Sequence, residues 1–368
     1  MSVRIEKYLK KKAFIKPLET LSEKSQFDAV VVIPVLAELA DLPDTLNALS
    51  KVRGEFAVIL VINNRLSAST AQKRDNLAIL ENLRFGRLSV PNLFWIDCAS
   101  TGNEFADKMG VGLARRIGMD TALTMLTENG LMSSLDADTL VEAGYLEALK
   151  ATLTEPVSAG YFRFKHQKAE SELLQHAIDS YETYLHHYVD GLKSAGSPYA
   201  YHSIGSTMAV TAEAYVLADG VPVKRLAGED FYFLQNVAKN CRIDEIPSTV
   251  YPSARLSART PFGTGQRMIE YQQGRNGELL FSRGAFDLLG EFLRMVEVNI
   301  DSVNCCFVNT LQSSVLHVYL DEAGFQSVWA KIQLNYNSPE NKLKAFHRWF
   351  DGLKTLRLIK SLSAENIC

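Results

Sequence analysis

Residues 28–64 read DAVVVIPVLAELADLPDTLNALSKVRGEFAVILVINN. Ala29 to Ile33 is a β-branched run closed by Pro34, the pattern of a strand buried on both faces. Leu42, Leu46, Leu49 and Val52 follow at helical spacing. Asp41 is placed to cap that helix, and Pro43 fits its first turn. Ala57 to Ile62 is a second buried strand, closed by Asn63 and Asn64. Two such strands joined by a helix run parallel, because the helix carries the chain back.

The alternation continues outward. Leu93 to Ile96 reads as a third strand, about Val111 to Leu126 as a helix, and a short strand ends at Leu135. The expected fold is α/β, a mostly parallel sheet flanked by helices. Ligands of such sheets bind beyond the carboxyl ends of the strands. Chemistry is therefore expected just after Ile33, Ile62 and Leu135. Past about residue 156 the pattern changes. Ala159 to Phe164 alternates like a half-buried strand, and Ala169 to Leu192 reads as an aromatic helix. A Gly/Ser/Pro-containing segment, Ser194 to Ser206, precedes a strand–helix unit from Thr207 to Leu217. From about Met268 the chain reads as helical. Leu279, Leu280, Phe286, Leu288, Leu289, Phe292, Leu293 and Val296 are apolar there at three- and four-residue spacing.

The 368 residues exceed the length at which one core stops growing, so a large domain plus an appendage is expected. Lys and Arg number 39 against 42 Asp and Glu, a net charge of −3. That excludes a nucleic-acid binder relying on bulk positive charge. The 47% hydrophobic content excludes wholesale disorder. Cys98, Cys241, Cys305, Cys306 and Cys368 are scattered and odd in number, which points to a reducing, cytoplasmic setting. The basic N-terminus lacks the apolar core of a secretory signal, and no 18-residue apolar run predicts a membrane span. Its KYLKKK stretch suits a solvated leading helix and is compatible with peripheral contact to an anionic membrane.

Four clusters can carry chemistry. In SSLDADT, Asp136 and Asp138 lie one residue apart where a strand ends, so both can face one hard cation such as Mn²⁺ or Mg²⁺. The same residues also fit a helix start, because Thr139 and Glu142 make a capping-box pattern. Gly228-Glu229-Asp230 opens a helix, where a carboxylate stays ionised and can take a proton, or merely cap. Gly110 and Gly112 lead into Arg115 and Arg116, a small-residue turn with phosphate-pairing cations. Arg255, Arg259, Gly263, Gly265 and Arg267 suit a diphosphate lid, and equally a solvated turn.

In order along the chain these pieces resemble the family-2 glycosyltransferases, inverting enzymes of the GT-A nucleotide-sugar fold. VVIPVLAELADLPDTLNAL is similar to that family's opening strand and turn, with Pro34 and the acidic Glu38. VILVINN stands for its second strand, GVGLARRIGMD for its Ala-Arg helix, and SSLDADT for its metal-binding Asp-x-Asp. GSTMAVTAEAYVLADG is similar to its acceptor-side segment, and GEDFYFLQNVAKN carries its Glu-Asp.

The resemblance covers residues 28–270, leaving a 1–27 extension and a helical 271–368 region. It implies a hexosyltransferase-type, metal-dependent enzyme that moves a sugar from a UDP- or GDP-type donor to a carbohydrate or other hydroxyl acceptor. Asp230 would be the base and Glu229 would orient the acceptor. Asp138 would be the principal metal ligand, with Asp136 beside the donor. Pro34, Glu38, Asn63 and Asn64 would contact the nucleotide sugar, and Arg115 and Arg259 its phosphates.

The sequence departs from the family at Asn63 and Asn64, where the family has Asp, and at Ser253, where many relatives have a metal-binding His. The competing readings are a nucleotidyltransferase acting on sugar phosphates and an inactive nucleotide-sugar-binding module.

Overall fold

The computed structural model describes residues 2–22, 25–223, 228–255 and 280–365. The chain forms two compact units, residues 1–179 with 203–276, and residues 180–202 with 277–368.

Among the described residues the first unit is built on a nine-stranded mixed sheet. In chain order its strands are β1 (Glu19–Thr20), β2 (Phe27–Val35), β3 (Ala57–Asn63), β4 (Leu93–Cys98) and β5 (Leu126–Ser134). β6 (Leu140–Val141), β7 (Ala159–Phe164), β8 (Met208–Thr211) and β9 (Ile243–Tyr251) complete it. The spatial order is β1-β4-β3-β2-β5-β8-β7-β9-β6. β2, β3, β4 and β5 are mutually parallel, and β7 and β9 share their direction through the antiparallel β8. The helices are α1 (Val3–Lys11), α2 (Leu42–Ser50), α3 (Thr70–Arg84), α4 (Val111–Ala122), α5 (Tyr145–Thr152), α6 (Glu172–Ser194), α7 (Ala212–Leu217) and α8 (Glu229–Ala238). The later turns of α6 belong to the second unit.

The continuous apolar runs became the central strands. Val30, Val32, Ile33, Val58, Ile59, Leu60 and Val61 are all wholly buried. Each such side chain contributes about 1.5–3 kcal/mol. Pro34 lies inside β2 rather than closing it. Its missing N–H is harmless there. Val32 accepts from Leu135, so the same edge of β2 at Pro34 faces the place where β5 has already ended.

Three local expectations need correction. Asp41 precedes α2 but makes no capping hydrogen bond. The helix read to Leu126 stops at Ala122, and the chain turns through Met125, whose carbonyl accepts from Phe27. Thr139 and Glu142 form no capping box. Residues 140–141 are strand, and Glu142 instead accepts from Ser248, Thr249 and Tyr251 of β9. α1 is half embedded, with Ile5 and Tyr8 buried and Lys7, Lys10 and Lys11 exposed.

The second unit is helical. Besides the end of α6 it contains α9 (Arg283–Val298), α10 (Ser314–Glu322), α11 (Phe325–Asn335), α12 (Pro339–Trp349) and α13 (Gly352–Glu365). Phe286, Leu289, Phe292, Leu293 and Val296 are the buried face of α9. Phe292 meets the rings of Phe325, Phe346 and Phe350 at 5.9, 5.9 and 5.4 Å, mostly edge to face. Tyr184 and Tyr188 of α6 pack on Phe281, so part of that aromatic helix is core. Leu280 is half exposed, and Leu279 lies outside the described residues. No described helix is long and apolar enough to cross a membrane.

Candidate functional site

The carboxyl ends of β2, β3 and β5 converge on two arginine hubs and one amide cluster. The first hub is Arg115 on α4. Its Nε donates to Ser134 Oγ at 3.0 Å, and its two terminal nitrogens pair with Asp136 and Glu229. The side chains of Arg115 and Glu229 each keep only 5% exposure, whereas Asp136 keeps 38%. A guanidinium can hold three acceptors in a fixed fork, which a single ammonium cannot. The small-residue turn before it serves packing. A Cβ on Gly112 would come 3.1 Å from Glu229 Cβ and 3.2 Å from the Pro222 carbonyl. Gly112 thus admits Glu229 to the hub.

The second hub is Arg255, just after β9. Its Nη2 donates to both Glu38 oxygens at 2.5 and 2.6 Å and lies 2.9 Å from Asp138 Oδ2. Its other terminal nitrogen pairs with Asp41, which explains why Asp41 does not cap α2. Ser253 accepts from the Arg255 backbone N–H at 3.3 Å. The Asp-x-Asp loop is held from both sides. Thr45 donates to the Ala137 carbonyl at 2.9 Å, and Gln167 donates to the carbonyls of Asp138 and Tyr251 at 2.8 Å.

The amide cluster lies at the ends of β2 and β3. Asn76 of α3 is fully buried and accepts from the backbone N–H of Ala37 at 2.8 Å. Its own N–H groups donate to the Asn63 carbonyl at 2.9 Å and Asn64 Oδ1 at 3.0 Å. Ala37 has a left-handed backbone, φ 53°, which a non-glycine residue holds only when the surroundings impose it. Asn63 donates to the carbonyls of Val35 and Val61, so its amide nitrogen is committed and its oxygen faces away from them.

Burial, with the charges of Asp136, Glu38 and Asp41, pushes Asp138 up to about 7 against the pull of Arg255. Burial and the neighbouring Glu229 charge raise Asp230 above the usual carboxylate range. Arg115 and the Phe231 N–H, 2.8 Å from its Oδ1, oppose that rise. Two carboxylates side by side on a strand-end loop suit a hard divalent cation, which needs only one or two when substrate phosphates complete its shell. Asp136 and Asp138 offer oxygen donors of that kind, although each is held by an arginine, Arg115 and Arg255 respectively. Among the described residues no group of three or more His, Cys, Asp or Glu side chains is placed to hold one.

The expected residues are thus distributed as follows. Arg115 brings Asp136 and Glu229 together, with Asp230 adjoining; Arg255 brings Glu38 and Asp138 together. Asn63 and Asn64 form the separate amide cluster, and Pro34 is a strand residue. Arg259, Gly263, Gly265 and Arg267 lie outside the described residues. Thr45, Asn76 and Gln167 are the positioning residues that sequence reading missed. Asn76 had a signal, since it is an amide at helical spacing with the apolar Ile79, Leu80 and Leu83.

No protein-family profile and no curated protein matches the chain. Among solved structures it is similar to S. aureus TarS 1–349 in complex with UDP-GlcNAc, at 15% identity and TM-score 0.43, over 87% of this chain and 90% of that one. It is similar also to the mannosyltransferase PcManGT from Pyrobaculum calidifontis in complex with GDP-Man and Mn²⁺, at 14% identity and TM-score 0.40, over 94% and 92%. A third is glucosyl-3-phosphoglycerate synthase from Mycobacterium tuberculosis with UDP, at 12% identity and TM-score 0.38, over 70% and 88%.

Proposed function

We propose that the chain is an inverting glycosyltransferase of the GT-A, family-2 kind. It would transfer a sugar from a UDP- or GDP-type nucleotide sugar to a carbohydrate or other hydroxyl acceptor. One observation carries the reading: the Arg115 guanidinium joins Asp136, at the end of β5, to Glu229, at the head of α8. Two acidic motifs far apart in sequence thereby share one place at the carboxyl ends of the strands, where ligands of such sheets bind.

Asp230 takes the proton of the acceptor hydroxyl as that oxygen attacks the anomeric carbon. The bond from that carbon to the diphosphate breaks, and its electron pair leaves with the nucleoside diphosphate. Attack opposite the leaving group inverts the centre. A positioned carboxylate base supplies about 10²–10⁴-fold. Glu229 serves the acceptor side by raising Asp230 and by holding Arg115. Asp138 and Asp136 would hold Mn²⁺ or Mg²⁺, which when bound supplies positive charge to the diphosphate. Asn63 would meet the base through its side-chain oxygen, Asn64 would support that wall through Asn76, and Glu38 would lie near the nucleoside. Arg115, one positive charge held between two carboxylates, has none left for the phosphates and acts by holding Asp136 and Glu229 in place.

A binding screen of UDP-, GDP-, ADP- and dTDP-sugars, each with and without Mn²⁺ or Mg²⁺, tests this. The expected result is one nucleotide class bound in a metal-dependent way, and loss of that metal-dependent binding in Asp138→Ala. Release of pyrophosphate from a nucleoside triphosphate would overturn the reading in favour of a nucleotidyltransferase.

A further inference from the structure

α4 carries a second buried network beside the acid site. Asp120 is wholly buried and accepts four hydrogen bonds. Oδ1 accepts from the hydroxyls of Tyr8 at 2.8 Å and Tyr215 at 2.7 Å. Oδ2 accepts from Arg116 Nε at 2.8 Å and the Phe14 backbone N–H at 2.7 Å. These donors saturate the carboxylate. Arg116 then donates to the carbonyls of Asp219 at 2.5 Å, Val221 at 3.0 Å and Lys12 at 3.3 Å. Its guanidinium also lies 5.3 Å from the Tyr8 ring and 5.6 Å from the Phe14 ring.

The turn that Arg116 grips packs beside Gly112, which Glu229 also meets. Gly220 has φ +69°, and a Cβ there would come 2.2 Å from the Tyr8 hydroxyl and 2.5 Å from Arg116 Nη1. Only glycine fits. Two residues on, the Pro222 carbonyl lies against Gly112, and so does the side chain of Glu229. Packing is therefore continuous from Tyr8 through Gly220 and Pro222 to Gly112 and Glu229. Arg115 and Arg116, adjacent on α4, hold the acid and the turn respectively.

We propose that the N-terminal segment serves the reaction through Tyr8, which together with Asp120 and Arg116 acts as a positioning residue for Glu229 and Asp230. The segment latches the Asp219–Pro222 turn and thereby fixes the head of α8. This rests on the reading of Asp230 as the base. A displaced base costs rate rather than donor affinity, because the proposed donor contacts Glu38, Asn63, Asn64 and Asp138 are held by Arg255, Asn76 and Gln167 and not by α8.

The test uses the full chain carrying Tyr8→Phe, which keeps the ring and removes the hydroxyl. Tyr215→Phe is a second variant acting on the same Asp120 oxygen. Arg4→Ala is the control, since it breaks only the exposed Arg4–Glu213 pair of the same helix. Two quantities are read well below the melting temperature: amide hydrogen exchange across residues 228–238, and kcat with donor Kd. For either Tyr variant, kcat is expected to fall roughly tenfold with donor Kd unchanged within about twofold. Exchange across 228–238 is expected to rise severalfold, and Arg4→Ala is expected to change neither quantity. Exchange raised only within residues 2–22, with kcat unchanged, would overturn the latch. If the wild-type chain transfers no sugar, the reading of Asp230 has failed, and the exchange across 228–238 alone decides the latch.

Discussion

Arg115 on α4 and Glu229 at the head of α8 form an ion pair in which each side chain keeps 5% of its exposure. Breaking a buried pair leaves an uncompensated charge, at a cost of about 3–5 kcal/mol. Arg115→Met is therefore expected to lower stability by that order and to abolish transfer. Arg115→Lys restores the charge without the fork and is expected to recover stability more than turnover. Urea midpoints and kcat on the same preparations check this.

The Asp230 carboxyl is raised by burial first and by Glu229 second. A base must be deprotonated, so kcat/KM climbs as pH rises through its pKa. The climb is expected well above the ordinary Asp value of about 3.9. Glu229→Gln removes the raising charge and releases Arg115, and both changes favour the ionised form. The ascending limb is then expected to move to lower pH. A pH profile of kcat/KM in both proteins reads the shift, and an unmoved limb would remove Glu229 from the account.

Asn76 holds Ala37, Asn63 and Asn64 at the ends of two adjacent strands. Asn76→Ala leaves one buried donor and two acceptors unmet, costing about 1–3 kcal/mol. It also loosens both walls of the proposed nucleotide site. A weaker nucleotide Kd with kcat at saturation little changed is expected, measured by calorimetry and steady-state kinetics. A kcat loss with Kd intact would place Asn76 elsewhere in the mechanism.

In the helical unit, burial lowers His347 from 6.5 to about 4. Its Nδ1 is buried without a hydrogen-bond partner. As pH falls through 6.5, the unfolded chain takes up a proton that the folded one refuses. Stability is thus full above 6.5 and declines as pH falls toward 4, by up to about 3 kcal/mol. His347→Phe is expected to flatten that decline. Urea midpoints between pH 4 and 8, followed by tryptophan fluorescence, measure it.

The sequence made the central strands plain because continuous β-branched runs have few other uses. It also made the acid motifs plain, since Asp136, Asp138, Glu229 and Asp230 lie at element boundaries. What Arg115 and Arg255 touch was not legible. An arginine before a phosphate and an arginine between carboxylates look alike in one dimension, and only the sheet brings Glu38, Asp41 and Asp138 to Arg255. The Tyr8–Asp120 latch was hidden for the same reason, since its partners come from α1, α4 and α7. A signal was nonetheless present in α4. Arg115, Arg116 and Asp120 stand among Gly112, Ala114 and Gly118, and charged residues in a helix that small and apolar must be paired when buried.

The central claim is that the acid site transfers a glycosyl group with Asp230 as base. The most direct measurement is nucleoside diphosphate release and product anomeric configuration by NMR. Wild-type and Asp230→Asn chains would be compared with the donor chosen by the binding screen, with Mn²⁺, across an acceptor panel. The account predicts inverted product from the wild type, and a turnover loss of about 10²-fold or more in Asp230→Asn with donor binding intact. Near-normal turnover by Asp230→Asn, or product with retained configuration, would contradict it.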